Sequence, residues 1–313
     1  MRDAFTRNLK ELFHKDENMF FITSDTGYKV LDEFQETFPD RYLNIGISEA
    51  NMIGVAAGLA LSGKKVFTYA IAPFITLRCF EQIRVNLCFQ NLPVFLVGIG
   101  GGLTYGAGGA THHTIEDIAV LNSLPNMTII CPGDPVEVEL AMQKMSEVQG
   151  PVYLRLGKSG EKVIHQQSPK FEIGKGIKVL QGNDVAIITT GNMLETGYTV
   201  CEMLTHQGLN PGLISMHTVK PIDKNLIEET AKQYKLIVTI EEHNVIGGLG
   251  SSVSDVITER DLNVRFKKFG IPDRYVDVVG SQEFLRAQFG LKPEQISADI
   301  LNYLKGKVYE KAN

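Results

Sequence analysis

The 313-residue chain has no tryptophan, and its 4 cysteines, Cys79, Cys88, Cys131 and Cys201, form no C-x-x-C pair. Scattered thiols of this kind exclude a disulfide framework and indicate a reducing compartment. No run of ~20 uncharged apolar residues occurs, which excludes a spanning helix. The opening MRDAFTRNLKELFHKDEN is charged throughout and has no apolar core, so no signal peptide is read and a cytoplasmic protein is expected. An excess of positive charge is missing too. Lys plus Arg number 31 against 36 acids, a net charge of -5, which argues against nucleic acid or an anionic membrane as partner. A G-x-x-x-x-G-K-[ST] phosphate loop is also absent. What the chain does have is 43% hydrophobic residues and 30 glycines. Its length suits about two domains of ~100–200 residues, large enough to bury cores without disulfides or metals.

Short apolar, β-rich runs alternate with helical patterns. Strands are expected at Met19–Thr23, Tyr42–Ile45, Lys65–Tyr69, Val94–Ile99, Met127–Cys131 and Val152–Leu156, with helices near 3–14, 49–62, 75–89, 115–122 and 134–148. A second series has strands at Val185–Thr189, Gly212–Ser215, Leu236–Ile240 and Val264–Phe269 and helices near 193–207, 223–233, 249–259 and 294–305. The strands read as continuous apolar runs, the mark of parallel sheets covered on both faces. Their alternation with helices implies right-handed βαβ units. The expected fold is therefore α/β, with two domains, each a mostly parallel sheet flanked by helices. A polar stretch from Gly160 to Gly176 separates them. We place the first domain at 1–165, a linker at 166–176 and the second domain at 177–313.

Three segments carry candidate chemistry. In ISEANMIGVAAGLALSG, Met52, Ile53, Val55, Ala56, Ala57, Leu59, Ala60 and Leu61 leave no polar face, so the helix is expected to be buried all round. Ser48 is placed to cap it, and Glu49 lies in the first turn, where the helix dipole favours a carboxylate. Unless a partner compensates, a poorly solvated carboxyl there has a raised pKa and suits proton exchange with a bound heterocycle. In YAIAPFITLRCFEQIRVNLCF, Phe74 follows Pro73 just beyond a strand end, where parallel sheets bind ligands and a planar ring can stack. Phe80 and Phe89 read as core aromatics.

The third segment, GIGGGLTYGAGGATHHTIED, contains seven glycines after a strand. It does not close the dinucleotide pattern, because Gly98-Ile99-Gly100 is followed by Leu103 where a third glycine is required. Its Thr114-x-x-Asp117 resembles a capping box. His112 with Glu116, or His113 with Asp117, has i, i+4 metal-ligand spacing, but no further ligands follow at recognisable spacing. The loop reads more economically as the rim of an active site, with a histidine that bonds substrate hydroxyls or shuttles protons. Further on, the GGLGSS turn either binds an anion at a helix start or is a plain cap.

The segments DRYLNIGISEANMIGVAAGLALSGKKVFTYAIAPF, FEQIRV, GGATHHTIEDIAVL, PVYLRLG, DVAIITTG and VTIEEHNVIGGLGSS together resemble the C-terminal half of transketolases and deoxyxylulose-phosphate synthases. The resemblance covers nearly the whole chain and implies a pyrimidine-binding domain followed by a transketolase C-terminal domain. It implies thiamine diphosphate as cofactor, with Glu49 bonding N1′ of the aminopyrimidine and Phe74 stacking on that ring. Glu49 and His112 would be catalytic. Asp25, Ile71 and Arg78 would complete the cofactor-binding set, with Asp25 bordering the thiazolium. Arg2, His112 and Lys158 would contact a small sugar substrate, the two cations gripping its phosphate.

Two departures bear on specificity. The family commonly reads Asp-Gly-Pro-Thr-His where this chain has Gly108-Gly109-Ala110-Thr111-His112, and Lys158 replaces an arginine. The lost acid would have bonded a substrate hydroxyl, and a lysine is a point charge where arginine is a planar fork. A third departure concerns assembly. The Gly-Asp-Gly motif that holds the diphosphate through Mg²⁺ does not occur, since Gly133-Asp134 is followed by Pro135. The expectation is a split transketolase: a separate N-terminal transketolase-like subunit supplies the diphosphate-binding domain and Mg²⁺. A homodimer of this chain would form the core of a heterotetramer. Deoxyxylulose-phosphate synthase itself is disfavoured because those chains normally carry all three domains. The competing readings are the β subunit of a 2-oxo acid dehydrogenase E1 component, whose histidine loop usually reads Q-H-S, and a non-catalytic assembly subunit.

Overall fold

The computed structural model describes residues 1–158 and 160–306. Among these residues, twelve strands form two sheets: β1 (Met19–Thr23), β2 (Tyr42–Asn44), β3 (Lys65–Ile71), β4 (Val94–Ile99), β5 (Thr128–Ile130), β6 (Val152–Leu156), β7 (Ile177–Leu180), β8 (Val185–Thr189), β9 (Gly212–Ser215), β10 (Thr218–Lys220), β11 (Leu236–Asn244) and β12 (Arg265–Ile271). The first sheet has the order β10-β5-β6-β4-β3-β1-β2 and the second β12-β11-β8-β9-β7. Every pairing is parallel except β10 with β5 and β7 with β9.

The apolar runs behave as buried parallel strands must, and every residue of β4, β6 and β8 is buried. One face of the first sheet meets the helices Arg2–Lys15 and Pro135–Met145 through Phe5, Leu9, Phe13, Val138 and Met142. The other face is covered by Glu49–Leu61 through Met52, Ile53 and Ala56. In the second sheet, Leu194–His206 and Pro293–Leu304 cover one face, while Lys224–Gln233 and Leu249–Glu259 cover the other. β6, β4, β3 and β1 are parallel neighbours. Their carboxyl ends therefore open onto one edge, and Asp25, Phe74, the glycine loop and Lys158 all follow those ends.

Several expectations need correction. The helix expected over 75–89 is three pieces: Ala72–Thr76, a turn at Phe80–Gln82, and a wider π-turn at Ile83–Cys88. Thr76 Oγ1 donates back to the Ala72 carbonyl at 2.6 Å, the kind of side-chain bond that competes with continuing a helix. Phe80 does pack partly against the core, but Phe89 is 85% exposed and belongs to no core. The helix Glu49–Leu61 is not buried all round. Asn51, Gly54, Gly58 and Leu61 face outward, because apolar composition does not reveal whether the covering surface lies in the same chain. β7, β10 and the helices Asp32–Thr37 and Gln282–Gln288 lack a sufficient apolar period to be read from sequence. Among the described residues, no helix is long and apolar enough to cross a membrane.

Candidate active site

Glu49 opens its helix, with Ser48 at the cap position. Ser48 makes no side-chain capping bond, contrary to expectation, and the carboxylate is held from elsewhere. Ser24 Oγ, just past β1, donates to Glu49 Oε1 at 3.2 Å, and Arg78 Nη1 donates to Oε2 at 2.7 Å. Only 3% of the Glu49 side chain is exposed, against 48% of Arg78. The compensating partner for the buried carboxyl is thus a cation reaching in from solvent. The guanidinium carbon of Arg78 lies 4.4 Å from the centre of the Phe74 ring. Phe74 in turn meets the His112 ring edge-on, 5.2 Å between centroids. A planar group that donates N–H to Glu49 and lies on Phe74 is what an aminopyrimidine would be here, and Arg78 already satisfies both requirements. The residues present therefore fit the pyrimidine end of thiamine diphosphate.

The loop after β4 shapes the other side. Thr111 Oγ1 lies 3.0 Å from His112 Nδ1 and 3.4 Å from the Gly108 carbonyl. When the hydroxyl donates to that carbonyl it accepts from Nδ1–H, leaving His112 Nε2 as a proton acceptor. A Cβ on Gly108 would sit 2.8 Å from His112 Cγ. The histidine therefore occupies the space that the family's aspartate would claim. Tyr105 lies behind it, 6.5 Å ring to ring, with Lys158 Nζ 5.8 Å from the tyrosine centroid. Burial raises the Tyr105 hydroxyl above its ordinary pKa. Gly100 makes room for this ring: its φ is +79° and a Cβ there would collide with Tyr105.

Arg2 and Lys158, remote in sequence, are joined by a 3.1 Å bond from the Arg2 amide to the Lys158 carbonyl. Arg2 Nε is buried and makes no hydrogen bond among the described residues, with the Asp3 Oδ1 oxygen 3.7 Å away. Glu49, Arg78, Phe74 and His112 thus form one group, and Tyr105, Lys158 and Arg2 a second beside it. Asp25 stands apart. It is exposed in the left-handed region at φ 52° and clasped by Asn44, whose Nδ2 donates to Oδ1 at 3.1 Å. Ile71, half-buried, ends β3 and precedes the helix carrying Phe74.

The capping-box and metal readings of the loop both give way. Thr114 forms an isolated bridge with Gly102, and the helix Asp117–Asn122 has Glu116 at its cap position without a side-chain bond. Asp117 is buried and accepts from Tyr153 Oη at 2.6 Å and Arg155 Nε at 2.7 Å. His113 lies 3.1 Å from the Gly106 carbonyl. His113 and Asp117 therefore serve different partners, and among the described residues no group of three such ligands forms. The GGLGSS turn is capped internally: Glu241 accepts the amides of Leu249 at 2.7 Å and Gly250 at 2.8 Å. Burial pushes its carboxyl up to about 7. Reading by motif misses three residues near the loop, Tyr105, Arg155 and Glu242. For the two charged ones, the available signal is charge set inside the otherwise apolar runs VYLRL and LIVTIEEHN.

Similarity to known proteins follows the same lines. Residues 1–160 match the family described as "Transketolase, pyrimidine binding domain" and residues 174–296 the "Transketolase, C-terminal domain". The chain belongs to the transketolase family. A putative transketolase C-terminal section of Methanocaldococcus jannaschii is 35% identical over 97% of this chain and 96% of its own length. One apulose-4-phosphate transketolase subunit, that of Phocaeicola vulgatus, is 35% identical, covering 97% of each protein. A solved structure described as "Split gene transketolase, inactive beta4 tetramer" superposes with a TM-score of 0.90 at 34% identity, over 98% of this chain and 99% of that one. This transketolase chain therefore corresponds to whole polypeptides of about its own size.

Proposed function

We propose that this chain is the C-terminal subunit of a split, thiamine-diphosphate-dependent transketolase that transfers a two-carbon ketol unit between small sugars. On this reading it acts only when an N-terminal subunit supplies the diphosphate-binding domain and Mg²⁺. The observation that carries the reading is the Glu49–Arg78–Phe74 arrangement, a buried carboxylate beside an aromatic face already engaged by a planar donor. Support for the split comes from the relatives of matching length, two of which are described as a section or a subunit.

When bound, thiamine diphosphate supplies the nucleophile and the electron sink. The chain's own residues do the rest. Glu49, steadied by Ser24, holds and exchanges a proton at its carboxylate with the ring nitrogen that takes Arg78's place. Phe74 fixes the plane of that ring. His112, through the nitrogen that Thr111 leaves free, bonds or deprotonates a hydroxyl of the sugar. Lys158 and Arg2, whose Nε makes no hydrogen bond among the described residues, hold the anionic end of the substrate. Asp25, Ile71 and Arg78 would border the cofactor, with Arg78 moved off Phe74 to leave that ring face to the pyrimidine.

The outward face of Glu49–Leu61, with Gly54, Gly58 and Leu61, supports a homodimer of this chain at the core of a heterotetramer. The 34% identical solved structure is itself a tetramer of β chains said to be inactive. The test is reconstitution with the partner subunit, thiamine diphosphate and Mg²⁺, comparing ketose phosphates with 2-oxo acids as donors. Ketol transfer from the ketose by the pair, and none by this chain alone, is expected. Full turnover by the lone chain, or turnover with 2-oxo acids only, overturns the proposal.

A further inference from the structure

Glu242 sits near the carboxyl end of β11, in the C-terminal domain, with none of its side chain exposed. A buried carboxylate in a parallel strand is expensive unless fully partnered, and an apolar residue of similar size would usually serve stability as well. Its partners explain its presence. One oxygen accepts the backbone amide of Leu103, in the pyrimidine-binding domain. Gln282 Nε2 donates to both oxygens at 2.8 and 3.0 Å, and Arg286 Nε donates to Oε2 at 2.6 Å. The carbonyl of the same residue accepts Arg155 Nη2 at 3.1 Å, and that nitrogen also reaches the Thr114 carbonyl at 2.8 Å.

Leu103 and Thr114 stand at the two feet of the loop that carries His112. The feet are tied by Gly102–Thr114 bonds of 3.0 and 2.8 Å. One foot is held by the Glu242 carboxylate, the other by Arg155, which Asp117 and the Glu242 carbonyl anchor. Gly102, at φ +70°, lets the carboxylate come close, since a Cβ there would lie 2.6 Å from Oε1. Further along the loop, a Cβ on Gly106 would overlap the Gly280 carbonyl, so a second piece of the C-terminal domain presses on the same loop.

We infer that Glu242 is a positioning residue: through Leu103 and Arg155, the C-terminal domain sets the His112 loop against the substrate. The inference rests on the proposed contact between His112 and the sugar, and it gives the second domain a part in turnover although it supplies no group to the reacting atoms.

The test uses the reconstituted two-subunit enzyme and two readouts, amide hydrogen exchange and donor kinetics. In Glu242→Ala, exchange at Leu103 and across residues 103–113 should quicken by about 10- to 100-fold, the scale of a lost charge-assisted hydrogen bond, while β4 and β6 keep their protection. Turnover with the donor should fall by about 10- to 100-fold, as for a misplaced contact. In a His112→Ala background the same change should add less than about 3-fold, because both act through one loop. Glu242→Gln, which keeps an acceptor for Leu103, should recover most of the loss. Should the alanine variant not fold, Gln282→Ala and Arg286→Met loosen the carboxylate from the other side and should give smaller changes of the same pattern. Unchanged loop exchange, or a full-sized second loss in the His112→Ala background, overturns the inference. A silent His112→Ala with quickened exchange in Glu242→Ala would instead sink the role given to His112 and leave the clamp standing.

Discussion

Glu49→Gln separates chemistry from architecture. The amide is the same size, keeps an oxygen for the Ser24 hydroxyl 3.2 Å away, and removes only the charge and the exchangeable proton. The structural penalty is small. Arg78 is 48% exposed, so the screened pair is worth no more than ~1 kcal/mol, and the relief from burying a charge offsets part of that. For a chain of this size, ~1 kcal/mol moves Tm by roughly 1–2 °C. The chemical penalty is much larger. Loss of general acid–base help is worth ~10²–10⁴ in rate, about 3–5 kcal/mol of barrier. The assay pairs ketol transfer by the reconstituted enzyme with a melting curve of each variant. A fall of two to four decades in turnover with Tm nearly unmoved is expected. Wild-type turnover would refute the proton-exchange role and revive a non-catalytic subunit. A loss that tracks unfolding would show Glu49 to be structural.

Other outcomes follow from the same geometry. Gly54 and Gly58 lie on the outward face of their helix, with nothing within 4 Å of where a Cβ would stand. Gly54→Arg should therefore raise helix stability by ~0.5–1 kcal/mol yet weaken self-association in light scattering; unchanged assembly would place the dimer contact elsewhere. Gly108→Asp restores the family's acid but collides with His112, so ketol transfer should fall, and a gain would show that the histidine has room to move. Stability should also depend on pH. Burial holds His217 and His243 down at about 4 and Glu241 up at about 7. The two histidines, depressed from 6.5, contribute stability that is present above pH 6.5 and lost as pH falls towards 4. Glu241, raised from 4.5, contributes stability present below pH 4.5 and lost as pH rises through 7. Counting these three groups, the unfolded chain binds two protons between pH 6.5 and 4.5 against one in the folded chain, while burial also raises Glu116 and gives the folded chain a further proton towards the acid end of that window. Stability should therefore fall as pH is lowered from 6.5, by at most about 1.4 kcal/mol per pH unit; urea midpoints that rise as pH is lowered from 6.5 would contradict it.

Much of the architecture is legible because buried parallel strands advertise themselves as unbroken apolar runs. Val94–Ile99 and Val185–Thr189 occur in the structure with the limits read from sequence. Glu49, Phe74 and His112, from three separate segments, converge because β2, β3 and β4, which feed them, lie in one sheet, with β3 beside β4 and β1 between β3 and β2. Other features have no local signature. β10 is three residues long and is a strand only because β5 offers it an edge. The outward face of Glu49–Leu61 looks like core in composition, yet Asn51, Gly54, Gly58 and Leu61 on it are exposed. Arg155 and Glu242 lie within strands whose remaining residues read as plain core, and their role depends on a contact between domains that no spacing encodes. Phe89 looks like core for the same reason in reverse: an aromatic in an apolar neighbourhood, turned outward by the π-turn before it.

The crossing of β10 into the first sheet has a practical corollary. An excised N-terminal half ending in the polar stretch would bare the edge of β5, leaving Ile129 and Ile130 without their strand partners Lys220 and Thr218. It would also lose the acceptor of the Cys131 amide, the His217 carbonyl 2.7 Å away. Raw strand edges recruit other chains. Shuffling halves between homologues would therefore succeed only if the short segment 216–220 travelled with the N-terminal piece, a seam invisible to anyone cutting at the obvious hinge.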